Sequence, residues 1–203
     1  MALTGSTEVG RRYFPDGTWE STHSMFTGRS GYIFIGKGTI FEQRNENLNL
    51  DKDMGNFAHV LSFAHQHKIE TRLFITPQHV FMIDLWWRLG YSEMWHEFHR
   101  RLVEVNDAVA IEMGREPFPV FGFGHLRGVV DEPIGSAQES ARALFTDGMH
   151  FRPQLGTQIM EAVWTDGAGL GARLDVNSVD FYLSQVEKLH YAFESANTEL
   201  TAA

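Results

Sequence analysis

Cysteine is absent from all 203 residues. Its absence removes disulfides, thiolate nucleophiles and cysteine-ligated zinc or iron–sulfur centres from consideration. Positive charge is scarce: 17 Lys and Arg stand against 26 Asp and Glu, a formal net charge of −9. Phosphate backbones are gripped by clustered cations, and the runs Arg11-Arg12 and Arg100-Arg101 are too short for that, so no nucleic-acid partner is expected. Long apolar runs are missing too. The most hydrophobic stretch, 80–87, is short and interrupted by Asp84, whereas a membrane span needs about 20 consecutive apolar residues. No run of signal-peptide length opens the chain, which is expected to be soluble with its compartment left open.

What is present suits an ordinary folded protein. Hydrophobic residues make up 43% and charged residues 21%, near the globular average. The length suits one domain with a real core better than two. Residues 1–50, rich in Gly, Thr, Ser and Asn, read as an irregular lead-in with one short strand or hairpin at 31–36, and 51–203 as the α/β portion.

Within that portion, Phe57, Val60, Leu61 and Ala64 have the one-sided spacing of a helix over 56–67. The run 72–76, stopped by Pro77, predicts a buried strand. The apolar segment 79–89 predicts a buried helix ending at Gly90. Ser92 is a plausible N-cap for a longer helix whose apolar positions, Trp95, Phe98, Leu102, Val105, Val109 and Met113, run to Gly114. Residues 118–123 predict a second strand. A loop follows at 124–146 with a short helix near 137–144, then a helix over 154–164, a Gly-rich turn at 167–171 and a last helix near 176–195. This order predicts an α/β fold on a mainly parallel sheet.

The spacing Asp147-x-x-His150, directly before Pro153 and a helix, could let the carboxylate hold one ring nitrogen so that the other acts as base. An Asp and a His so close in a loop also occur for no chemical reason. His79, just past Pro77 at a strand end, reads either as substrate-facing or as a helix-start residue bonded to nearby backbone. The close histidine pairs, His65/His67 and His96/His99, lack a third ligand and the His-Glu-x-x-His spacing. They read as solvated helix faces, a histidine-rich metal site being the weaker alternative. No cofactor is expected. Trp86, Trp87, Tyr91, Trp95 and Phe98 form a dense aromatic block, read as core at helical spacing, with a pocket lining as the alternative.

The run from Phe145 through Asp147, His150, Pro153 and Gly156 to Ile159 resembles the final motif block of SGNH hydrolases. Upstream, 57–67, 72–79 and 95–102 resemble, in the same order, blocks of the C-terminal half of an uncharacterised group of bacterial SGNH-like proteins. The resemblance spans roughly residues 10–165. It implies a three-layer flavodoxin-like fold, incomplete at its N-terminal side. For active members it implies hydrolysis or transfer of an ester-linked acyl group, on a small molecule or a glycan, by a serine that His150 deprotonates while Asp147 orients the ring.

The sequence departs from that family at the nucleophile. A Gly-Asp-Ser-like loop after a first strand is missing, and the one early candidate is Ser6, in Thr4-Gly5-Ser6-Thr7, with no apolar strand before it. The expectation is that the nucleophile-bearing segment lies upstream of this chain and that activity is weak. An incomplete sheet would leave an edge for a second chain or another copy to complete. The alternative expectation is a non-catalytic binding or scaffold protein on the same fold.

Overall fold

The structure, a computed structural model, describes residues 11–13, 19–21, 49–132, 144–145, 148–167 and 169–197. Strands β1 (Arg11–Tyr13) and β2 (Trp19–Ser21) pair antiparallel, with Arg12 opposite Glu20. This hairpin is not foreshadowed in the sequence, since three-residue strands carry too little alternation to register. The strand expected at 31–36 and the short helix near 137–144 lie outside the described residues.

Helix α1 (Leu50–Gln66) begins well before the expected start at 56. The Asn49 side chain accepts from the Lys52 N–H at 2.9 Å, and Asp51 and Asp53 in the first turn complement the helix dipole. Its inner face carries Met54, Leu61, Ala64 and His65, while Val60, expected inside, is 64% exposed. After β3 (Leu73–Ile75) comes α2 (Val80–Arg88), buried through most of its length.

Helix α3 (Ser92–Met113) takes Ser92 as its first residue and Tyr91, which makes no side-chain capping bond, as its N-cap. Gly114, at φ 61°, ends it in the left-handed conformation that glycine adopts at low cost. The buried face of α3 is His99, Val103, Asn106, Val109 and Ala110, so of the expected apolar set Val109 alone is on it. Two polar residues take core positions because each bonds to the backbone there. His99 Nδ1 donates to the Trp95 carbonyl at 2.7 Å. Asn106 Nδ2 donates to the Phe118 carbonyl at 2.8 Å, and its Oδ1 accepts from the Phe118 N–H at 3.3 Å.

Strand β4 (Val120–Gly122), helix α4 (Pro153–Trp164) with proline in its first turn, strand β5 (Ala172–Leu174) and helix α5 (Val179–Ala196) complete the chain. The sheet order is β3-β4-β5. β3 and β4 are parallel, but β5 returns antiparallel to β4, so the sheet is mixed rather than mainly parallel. The missed strand follows the Gly-rich turn: Gly167 and Gly169, at φ 81° and 78°, reverse the chain and bring Leu174 opposite Val120. The α/β class stands: among the described residues there are five helices, this three-stranded sheet and the β1–β2 hairpin.

Side chains of β4 alternate between two cores, as the two-residue period of a strand requires. Phe121 points into a cluster with Phe81, Leu85, Leu155, Ile159 and Phe193, which seats α4. Val120 points into the other, with Ile83, Val103, Leu174, Leu183 and Val186, which seats α3 and α5. Helices therefore cover both faces of the sheet. No helix among the described residues is long and apolar enough to cross a membrane.

Asp84, which interrupts the apolar run of α2, is 1% exposed and lies between two partners. Arg88 Nε reaches its Oδ2 at 2.8 Å, and the equally buried His190 of α5 reaches its Oδ1 at 3.1 Å. Removing one partner of a buried charge-bearing cluster leaves the others desolvated without compensation. Asp84→Ala is therefore expected to cost about 3 kcal/mol in urea unfolding, with Asp84→Asn costing less. A loss well under about 1 kcal/mol would mean that the cluster is structurally idle.

Candidate functional site

A cavity of about 420 Å³ opens at the carboxyl ends of the parallel strands β3 and β4. Ile75, Thr76 and Gln78 reach it from the end of β3, and Gly124 from just past β4. In open α/β sheets this edge is where the chain diverges from strand to connection and leaves a crevice. The size falls within the range of small-molecule sites.

Its walls are aromatic and aliphatic. Trp86 of α2 faces Trp95, Phe98 and Leu102 of α3, with Phe74 at the sheet end. The aromatic block is thus divided: Trp86, Trp95 and Phe98 line the cavity, while Trp87 packs edge-on to Trp95 and near His190, and Tyr91 edge-on to Trp86. Consecutive residues on a helix point 100° apart, so one block serves both core and cavity.

A few polar groups interrupt the apolar wall. His99 is 3% exposed, and because its Nδ1–H is donated to a backbone carbonyl, Nε2 must carry the lone pair. Burial, against a smaller opposing effect of that bond, lowers its pKa to about 4, so the ring is neutral near pH 7. Tyr182 of α5 accepts from the Gly124 N–H at 2.9 Å. Burial pushes its phenol up to about 12, so the hydroxyl keeps its proton. The ring stands so close that a Cβ at Gly122 or Gly124 would collide with it, which is why glycine belongs at both positions. Gln78 contributes a buried Oε1 with no hydrogen-bond partner, and Asp53, exposed on α1, is the one charged side chain among the described residues lining the cavity.

Of the residues expected to form a catalytic set, the described residues include only His150. Asp147 and Ser6 lie outside the described residues. His150 is exposed and does not line the cavity. Its loop is nevertheless tied down: Phe145 and Phe151 form an antiparallel bridge, the Arg152 N–H donates to the Leu144 carbonyl at 2.7 Å, and the Gly148 carbonyl accepts from the His79 N–H at 2.9 Å. A Cβ on Gly148 would collide with Met82 and Phe81, so only glycine fits this contact with α2.

His79 is 1% exposed and caps α2. Its Nδ1 accepts from the Phe81 N–H at 3.2 Å, and its Nε2–H donates to the Glu132 carbonyl at 2.8 Å. Both ring nitrogens thus bond to backbone, Nδ1 in the first turn of α2 as in the helix-start alternative and Nε2 at the distant Glu132. Glu132, which the sequence does not single out, extends the arrangement: its two carboxylate oxygens accept from the Leu144 and Phe145 N–H groups at 2.9 Å each.

The histidine pairs are not simply solvated faces. His65 is 7% exposed and stacks on Phe118 with ring centroids 3.9 Å apart, and His99 is buried as described. Such stacking is invisible in a helical wheel because Phe118 arrives from beyond α3. Among the described residues, no group of three or more His, Asp or Glu side chains is placed to hold a metal ion. No family model, no curated protein and no solved structure matches the chain.

The buried histidines make stability depend on pH. His79 and His99 have folded pKa values lowered to about 4 from 6.5, in both cases chiefly by burial. Between those values the unfolded chain binds protons that the folded one refuses, so stability rises with pH across this window and is lost as pH falls from 6.5 to 4. Each ring contributes roughly 3 kcal/mol to the full change. Urea unfolding at a series of pH values should show this loss, and His99→Phe should reduce it; an unchanged slope in that variant would contradict the assignment.

Proposed function

We propose that the chain is a small-molecule-binding domain whose site is the cavity at the carboxyl edge of β3 and β4. The observation that carries this is an aromatic-walled space of about 420 Å³ with few polar groups, set at the strand ends. Apolar walls provide affinity, and sparse polar groups orient what enters. Binding fits the geometry better than catalysis at this site. No hydroxyl hydrogen-bonds to His99 among the described residues, and a base with a pKa near 4 is poorly matched to proton abstraction at neutral pH.

A neutral, environment-sensitive dye such as Nile red is expected to bind with a blue-shifted emission. Leu102→Trp, which fills the space from α3, should abolish that binding, while His150→Ala, outside the cavity, should leave it intact. Unchanged binding in Leu102→Trp would show that the dye sits elsewhere.

A second reading keeps the chemistry implied by the resemblance: an SGNH-type ester hydrolase or acyltransferase on a flavodoxin-like sheet, with Asp147 and His150 as acid and base. What favours it is the rigid anchoring of the His150 loop against α2, since a catalytic histidine needs a fixed position. Its serine would be Ser6 or would come from another chain. Hydrolysis of a short acyl ester, lost in His150→Ala and Asp147→Asn, would support it. Turnover at the buffer rate in the chain as it stands would exclude Ser6 as the nucleophile.

A further inference from the structure

The polar groups of the cavity select what it takes. Resting on the binding reading above, we infer that the ligand is a hydrophobic amine, its apolar body held among Trp86, Trp95 and Phe98 and its N–H donated to Nε2 of His99.

Three observations carry this independently of one another. The first is the His99 tautomer. A backbone carbonyl can only accept, so the Trp95 carbonyl fixes the proton on Nδ1 at 2.7 Å and leaves Nε2 an acceptor in a ring that lines the cavity. A ligand that enters without a donor leaves that lone pair desolvated and unmatched, which costs affinity.

The second is charge. Among the described residues no Lys or Arg lines the cavity, and the one charged side chain that does is Asp53. A carboxylate or phosphate ligand would meet the Asp53 charge and a lone pair with no cation to offset its desolvation. An ammonium meets the complementary sign. The third is the wall itself: indole and phenyl faces attract a cation through their quadrupoles. Gln78, whose Oε1 is buried without a partner, supplies a second acceptor in the same space.

An alcohol satisfies His99 but gains nothing from Asp53 or the aromatic faces. A matched series therefore separates these contributions: 2-(aminomethyl)naphthalene, 2-naphthalenemethanol, its methyl ether and 2-naphthoate, each titrated against the full chain at pH 7 by displacement of Nile red. The amine is expected to bind at least about tenfold tighter than the ether, the scale of one charge-assisted hydrogen bond, with the alcohol between them and naphthoate weakest. His99→Phe should narrow the gap between amine and ether while still binding the dye. Asp53→Asn, at an exposed site, should reduce the gap between amine and naphthoate.

Equal affinities for amine and ether, or tighter binding of naphthoate, in a protein that binds the dye would overturn the amine assignment and leave the cavity reading standing. An amine preference undiminished in His99→Phe would overturn the role of His99. Failure of the dye itself to bind would remove the cavity reading on which this rests.

Discussion

The first turn of α2 is the constraint on which the rest of the described structure depends. A helix start leaves backbone N–H groups without intrahelical partners, and here they are buried, so each must be matched from outside the helix. The His79 N–H is met by the Gly148 carbonyl and the Val80 N–H by the Val130 carbonyl at 2.7 Å. The His79 ring takes the Phe81 N–H and passes its own N–H to Glu132, whose carboxylate holds Leu144 and Phe145. The long connection from β4 to α4 is thereby fastened at several points to one helix end. Since α2 contributes Phe81 to one core and Ile83 to the other, fixing its start aligns both faces of the sheet.

That alignment also makes the cavity. α2 presents Trp86 toward α3 at the sheet edge where β3 and β4 end, and Tyr182 bonds to Gly124 so that the far wall cannot collapse inward. His99 and Tyr182 are buried in these walls, so they act in a low dielectric, where an unmatched acceptor is costly and a matched one is selective. The same burial keeps His99 neutral and Tyr182 protonated. The proposed ligand site at this edge takes its chemistry from a neutral imidazole with the Nε2 lone pair available.

Much of the fold could be read from the sequence because helix starts and stops are local. Gly90 and Gly114, Pro77 and Pro153 bound the elements near where they are expected, and the buried character of 80–88 follows from its composition. What could not be read is whatever depends on a distant partner. β5 is three residues long and becomes a strand only beside β4. The inner face of α3 cannot be found by marking apolar letters, since His99 bonds to the backbone of Trp95 and Asn106 to the backbone of Phe118. The same holds for the site. The aromatic block announces a cavity or a core without saying which, and Asp53, Gln78 and Tyr182 reach the cavity from three separate elements with no spacing signal between them. His79 was conspicuous for its place at a strand end, and its two ring nitrogens turn out to be bonded to backbone.

¹⁵N-edited NMR of the imidazole nitrogens at pH 7, alone and with 2-(aminomethyl)naphthalene, reads the His99 assignment without intermediate steps. This assignment requires that His99 is neutral with its proton on Nδ1, that its Nε2 signal lies in the unprotonated range, and that this signal moves on adding the amine. A proton found on Nε2, or an Nε2 signal that stays fixed at saturating amine, would contradict it.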